Sequence, residues 1–358
     1  MDQVTRTDFS GQVVFLGLDV HAKSIVVQPA LTHTMLKKFT ITPAKAEILI
    51  KKLKNSFRGA EFSAVYEAGF SGFWLQRKLN RAGIDCIVVN AADVPSSDKD
   101  RRRKSDQRDA SKLVRELRNK TLEGLYIPHE QAERNRQLIR LRDELIKDER
   151  RCQQRIKAYL KLKDDLPSDW PTNWKLSKNM MSKLRPFANK RLDGEADFSL
   201  ITRLTHLMNI REQLGMVNTQ IELLLQTEYG AIYRCLKSIP GIGNTIAAYL
   251  ILEIIDMNRF ANQDKLCAYF GLVPDLHASG ERTTTKGITR RVNKRLRRML
   301  IEATWTAIRV DPILAAAYGR YRQYTIANKA IIKVARKLLC RIRSIWLSGQ
   351  PYQIANPG

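Results

Sequence analysis

Four carboxylates sit where this sequence passes from apolar to polar. Asp19 closes the run Val13 to Leu18, and Glu67 closes Phe62 to Tyr66. Asp106 and Asp109 stand three apart after a third apolar run, Cys86 to Val89. A carboxylate inside an apolar strand is costly unless something compensates it. Four brought to one edge would repel one another. A divalent cation resolves that repulsion, and oxygen-only ligands select Mg2+ or Mn2+ over Zn2+. Such an ion clamps a phosphate during in-line displacement. Asp19 and the helix pair also have ordinary readings: Asp19 as the end of a strand and the cap of a turn, and Ser105 or Asp106 as a helix N-cap with acids in the first turn.

A hydroxyl and several cations complete the candidate chemistry. Ser279 precedes Gly280 in a polar, irregular segment, His277 to Gly287, beside Arg282 and Lys286. A serine flanked by guanidinium groups can attack a phosphodiester if its proton is accepted and the oxyanion neutralised. Thr283, Thr284 and Thr285 are rival hydroxyls, and most loop serines are solvated turn residues. Pro240-Gly241-Ile242-Gly243 resembles the turn of a helix-hairpin-helix, in which glycines admit a phosphate close to the backbone. A tight helix–helix connection without a ligand explains a bare GxG equally well, but the basic context favours phosphate. Arg101, Arg102, Arg103 and Lys104 form one basic run, and Arg290, Arg291, Lys294, Arg295, Arg297 and Arg298 load a second. So many cations with few acids between them fit phosphate contact better than a solvated helix face.

The elements that must position these residues are legible from periodicity. Residues 12–20 and 24–30 read as a strand hairpin, Met35 to Ile41 as a short third strand, and Phe62 to Glu67 and Cys86 to Val89 as buried strands. Pro43 opens one helix, and Phe73 to Ala82, stopped by Gly83, forms another. The alternation implies a mixed sheet covered by helices, with strand ends side by side and a site outside them. A helix starts near Gln107, so Asp106 and Asp109 project from one side of its beginning. Residues 130–163 and about 199–228 are long helices with apolar stripes, as in an antiparallel coiled coil. Between them, Leu166 to Arg191 reads as a tip or loop, because Pro167, Pro171, Trp170 and Trp174 argue against a continuous helix. The domain expectation is 11–125, 126–228 and 229–350.

Composition narrows the partners. The chain has 358 residues and a net charge of +26, an excess that a fold does not need and a polyanion exploits. Its apolar stretches fall short of a membrane span, and Met1 to Ser10 lacks the apolar core of a signal peptide. Cys86, Cys152, Cys235, Cys267 and Cys340 show no CxxC spacing and read as reduced thiols of a cytosolic protein. Nucleic acid is the partner this points to, and no membrane.

Read together, Gly17-Leu18-Asp19-Val20-His21, Glu67-Ala68-Gly69, Lys104 to Ala110, Ile239 to Gly243, Gly271-Leu272-Val273-Pro274 and Ser279-Gly280 resemble the DEDD transposases of the insertion-sequence one-ten family. That family includes the pilin-inverting site-specific recombinases, and the resemblance runs from about residue 13 to 345. It implies an RNase H-like, RuvC-like N-terminal domain, a helical coiled-coil arm, and a mostly helical C-terminal transposase domain. It implies that Asp19, Glu67, Asp106 and Asp109 bind Mg2+ or Mn2+ and that Ser279 is the nucleophile, forming a covalent phosphoserine link to DNA. The expected partners are donor and target DNA, a structured guide RNA (the bridge RNA of the family) and further copies of the chain, as a dimer or tetramer. The acids of one subunit then lie near the serine of another, in a bacterial, nucleoid-associated protein. Val292 departs from the pattern, since relatives commonly have glycine there. Two other readings stay open on the residues alone: a metal-dependent Holliday-junction-type nuclease in which water attacks, and a non-catalytic nucleic-acid-binding protein.

Overall fold

The computed structural model describes residues 8–95, 106–162, 176–189, 197–279, 282–288 and 292–354, without the side chains of 106–108, 187, 274–279 and 282–288. The basic residues Arg101, Arg102, Arg103, Lys104, Arg290 and Arg291 therefore lie outside the described residues, as does the Trp170 region. The chain divides into two compact units, Met1–Ile127 and Pro128–Gly358.

The first unit is a mixed sheet between helices. Its strands are β1 (Val13–Val20), β2 (Ile25–Ala30), β3 (Phe39–Ile41), β4 (Glu61–Glu67) and β5 (Asp85–Val89). They lie in the order β3-β2-β1-β4-β5. The β1–β2 and β2–β3 pairs are antiparallel, whereas β1–β4 and β4–β5 are parallel. Helices α1 (Ala46–Ser56) and α2 (Trp74–Arg81) intervene before β4 and β5, and α3 (Asp106–Arg118) follows. Alternation sorts each strand's residues by face. Leu16, Leu18, Val27, Ala64, Tyr66 and Val88 point to one side, where they form a core with Leu49 and Leu53 of α1 and Leu75 and Leu79 of α2. Val65 and Val89 point to the other, where Leu113 of α3 covers them.

The first strand runs through Val20, as the 12–20 expectation has it, with Asp19 paired to Val26 in the ladder. One local expectation needs correction. Pro43 does not sit in the first turn of α1, which begins at Ala46 after an extended Lys45 at the N-cap.

The second unit is mostly helical. Its elements are α4 (Glu130–Leu162), α5 (Lys178–Asn189), α6 (Phe198–Thr227), α7 (Gly230–Lys237), α8 (Asn244–Ile254), α9 (Gln263–Tyr269), the strands β6 (Pro274–Ser279) and β7 (Arg282–Ile288), then α10 (Lys294–Val310), α11 (Pro312–Arg322) and α12 (Ala327–Ser348). Helices α4 and α6 pack antiparallel. Arg142 donates to Asn218 at 2.7 Å, Arg211 to Glu149 at 2.8 Å, and Tyr159 to Asp197 at 2.8 Å, so partner numbers fall as residue numbers rise. The stretch expected to be a tip or loop holds α5, whose Met181, Leu184 and Ala188 pack with Leu200 and Leu204 of α6. That three-and-four spacing is a helical signal, and the prolines and tryptophans upstream of it obscured it.

Helix α8 is the centre of this unit, buried from Ala247 to Ile254. Its one carboxylate, Glu253, accepts both arms of the Arg140 guanidinium, at 3.1 and 3.3 Å. A bidentate pair satisfies a buried carboxylate that would otherwise be prohibitive. The polar segment read as irregular is a two-stranded hairpin, with Ser279 opposite Arg282 and Ala278 opposite Thr283. The run of β-branched threonines favours a strand, and polarity hid that preference. Cys86, Cys152, Cys235 and Cys267 are buried free thiols, and Cys340 is exposed. Among the described residues no helix is long and apolar enough to cross a membrane.

Candidate functional site

Asp19 and Glu67 stand side by side at the carboxyl edge of the sheet. β1 and β4 run parallel with Leu18 beside Tyr66, so Asp19 and Glu67, each one residue further on, occupy adjacent positions on the same face. Glu67 is also paired with Val89 of β5, whose side chain belongs to the α3-covered core. The two acids thus share the face over which α3 lies. Asp19 is about one-fifth exposed, and His21 Nε2 stands 3.0 Å from its Oδ2.

Gly17 decides how closely α3 approaches. A Cβ on Gly17 would stand 2.0 Å from Ala110 O and 2.8 Å from Val114 N, so the helix backbone rests directly on the strand. Ser111 adds a tie to β2 by donating to Gln28 Oε1 at 3.2 Å, and Gln28 is paired with Gly17. Gln28 is itself fixed, donating to Pro29 O at 3.0 Å and to Leu36 O at 2.8 Å. On the helix, Asp109 adjoins the point of contact; on the strand, Asp19 lies two residues from it. Asp109 is half-buried, and Asp106 is the first residue of α3, its side chain outside the description. The spacing of the acids was readable from the sequence. The docking of α3 was not, although a glycine inside an apolar strand is the usual mark of close backbone approach.

The donor set suits a hard divalent cation in kind, since it offers carboxylate oxygens only. Among the described residues, no three such groups are gathered as a ready metal cluster. Asp19 and Glu67 occupy neighbouring strand positions, and Asp106 and Asp109 belong to the start of the helix that lies over that face.

The other sequence-selected residues lie in the second unit. Ser279 is the last residue of β6, and Arg282 and Lys286 lie on β7. Gly241 is in the turn between α7 and α8 with φ of +86°, and a Cβ there would meet Ala303 O of α10 at 2.3 Å. Internal packing therefore accounts for this glycine. Gly243, the N-cap of α8, has open space where its Cβ would be. Of the basic helix, Lys294 is exposed, whereas Arg295 is engaged within the unit. Its guanidinium lies 3.0 Å from Asp143 Oδ1 and over the Tyr249 ring, 5.2 Å from the centroid. Tyr249 donates to the same carboxylate. Burial, reinforced by that hydrogen bond, pushes the phenol up to about 12. Val292 lies against the Cα side of Gly271, filling the space a side chain there would take.

Comparison with known proteins bears on both units. Residues 16–163 match a family model described as a transposase, of the DEDD insertion-sequence 110 type. Residues 233–319 match the model of the transposase IS116/IS110/IS902 family. The y4qE protein of Sinorhizobium fredii is 31% identical over 258 residues, 72% of this chain and 61% of that protein. The chain thus spans about three-fifths of that relative's length. The transposase for insertion sequence element IS1533 of Leptospira borgpetersenii is 27% identical over 82% of this chain and 84% of its own. The transposase for IS1328 of Yersinia enterocolitica is 32% identical over a shorter stretch, 29% of this chain and 30% of its own.

Proposed function

The chain belongs to the IS116/IS110/IS902 family of transposases, and from that membership we propose that it cuts and rejoins DNA as an insertion-sequence transposase. The observation that carries the proposal is the placement of Asp19 and Glu67 on one face at adjacent parallel strand ends, beneath the helix that begins Asp106-Gln107-Arg108-Asp109. The sheet order, with an antiparallel hairpin beside a parallel pair, supports an RNase H-like reading of this unit. The long α4–α6 pair supports an arm, and the functional division is 11–125 for the acids, 126–228 for the arm and 229–350 for the serine.

In this reading Asp19, Glu67, Asp106 and Asp109 would hold Mg2+ or Mn2+, and the ion would supply positive charge to a bound phosphate. The chain's own residues do the rest. Ser279 Oγ attacks phosphorus, a P–O bond forms to the serine as the P–O bond to one strand breaks, and the proton the hydroxyl gives up is passed to that strand's departing oxygen. The phosphoserine ester conserves the bond energy, so the hydroxyl of another strand can reverse the step and complete an exchange. Arg282 and Lys286 supply positive charge at the hairpin, Lys294 contacts the phosphate backbone, and the net charge of +26 attracts DNA and a structured guide RNA from a distance. The family resemblance adds to this reading an oligomer in which one copy's acids serve another copy's serine. The setting is the bacterial nucleoid.

The test is a DNA nicked beside the cleavage point, so that the released fragment diffuses away and the ester is trapped. Wild type is expected to shift the labelled strand to protein size on a denaturing gel, and protease to collapse the shift. Ser279→Ala is expected to bind but to lose both the shift and the product. Cleavage by Ser279→Ala, or a link mapped to Thr283, Thr284 or Thr285, overturns the assignment.

A further inference from the structure

Beyond the acids themselves, the connection that leaves Glu67 presents a bare aromatic ring. Phe70 is 73% exposed, and Trp74, at the start of α2, is 37% exposed. The segment between them is held firmly. Ala68 N–H donates to Val89 O at 2.7 Å, and Gly72 N–H donates to Gly69 O at 3.1 Å, closing a four-residue turn with Phe70 in its second position. Tyr66, fully buried, reaches through to donate to Gly72 O at 2.9 Å and accepts from Gln76 N–H at 3.3 Å. Ser71 is buried, so the turn is seated on one side while Phe70 stands out on the other. On the helix that follows, Arg77 lies 5.9 Å from the Phe73 ring, and Lys78, 5.7 Å from the Trp74 ring, donates to Glu47 at 2.6 Å.

A large apolar ring on a rigid turn gains nothing from water. On the turn that leaves Glu67 it has the makings of a stacking platform, because every base offers a π-face and base–aromatic stacking tolerates any sequence. Three residues of chain reach at most about 10 Å. Along one strand, nucleotides are spaced about 3.4 Å apart. Phe70 is therefore within about three nucleotides of any phosphate held at Glu67. We propose that Phe70 is a positioning residue that stacks on an unpaired DNA base flanking the scissile phosphate and holds the strand open at the acids.

This rests on the reading that DNA crosses the carboxylate edge, and the experiment separates the two. A DNA substrate carries 2-aminopurine at each of the three positions on either side of the cut, and its fluorescence is read on binding by the full chain. Asp19→Asn serves as the non-cleaving background. Stacking on Phe70 quenches the probe at one of these positions. Phe70→Ala is expected to abolish that quench and to slow strand exchange about tenfold to a hundredfold in the chain with intact acids, with Phe70→Trp restoring both. The salt dependence of binding and the melting temperature of Phe70→Ala are expected to match wild type, since the ring is solvent-facing. An unchanged quench in Phe70→Ala overturns the proposal, as does a change confined to self-association. If instead Asp19→Asn still exchanges strands, the active-site reading fails, whatever the probe reports about Phe70.

Discussion

Replacing Gly17 with alanine perturbs the carboxylate edge without touching a carboxylate. The new methyl carbon would stand 2.0 Å from Ala110 O and 2.8 Å from Val114 N, both backbone atoms of α3. Ordinary van der Waals contact begins near 3.4 Å, so the helix must retreat by about 1.4 Å. Backbone cannot rotate away as a flexible side chain can. Overpacking of this kind typically costs about 1–3 kcal/mol. In a unit of this size each kcal/mol lowers the melting temperature by roughly 3 °C. The larger effect is expected in catalysis, because α3 carries Asp106 and Asp109 with it. A misplacement of about 1 Å among catalytic groups costs on the order of a hundredfold in rate. The assay pairs thermal melting with strand exchange measured well below the melting point, and DNA binding is expected to be unchanged. Gly215→Ala is the control: it lies inside α6 with nothing near its Cβ, so it should gain up to about 1 kcal/mol in helix stability. Wild-type melting and wild-type exchange in Gly17→Ala would refute the reasoning that this contact sets the site.

Neighbouring cations on α10 are expected to separate by role. Lys294→Ala should lower the salt slope of nucleic-acid binding by about one unit without changing stability, whereas Arg295→Ala should destabilise by about 2 kcal/mol by leaving Asp143 to Tyr249 without the guanidinium opposite it, measured by salt titration and denaturant melts. The Tyr249 phenol, held protonated by burial and by Asp143, contributes stability that is fully present below its unfolded value near 10 and is lost as pH rises towards about 12. Tyr249→Phe should flatten that alkaline loss while costing about 1 kcal/mol at neutral pH, read from melting across pH 8 to pH 12. Glu253→Gln should cost about 3 kcal/mol, because Arg140 and Arg136 would face a neutral amide inside the α8 core; a melt within error of wild type would contradict this.

The sequence carried the sheet and its acids well, for a physical reason. Buried strands show as apolar runs, and a carboxylate interrupting such a run, as at Asp19 and Glu67, is conspicuous because burial makes it costly. Long-range packing left weaker traces. Gly17 looked like any strand residue until α3 was seen resting on it, and Arg295 looked like one cation of many until Asp143, far off in the chain, was found opposite it. Gly241 shows the converse, a phosphate-like motif whose glycine is accounted for by the Ala303 backbone. The threonines of β7 misled because polarity was weighed above β-branching. Phe70 could have been suspected from Gly69 and Gly72 around an aromatic, but only the fold shows that the turn is anchored and the ring exposed.

The claim at the centre is that Asp19, Glu67, Asp106 and Asp109 act together on a phosphodiester through a bound divalent cation. The most direct measurement is strand cleavage by the full chain on its own element's junction DNA, first in EDTA and then with Mg2+ restored, alongside Asp19→Asn and Glu67→Gln. The account predicts no cleavage in EDTA, recovery with Mg2+, and loss in both variants while DNA binding persists. Undiminished cleavage in EDTA, or by either variant, would contradict it.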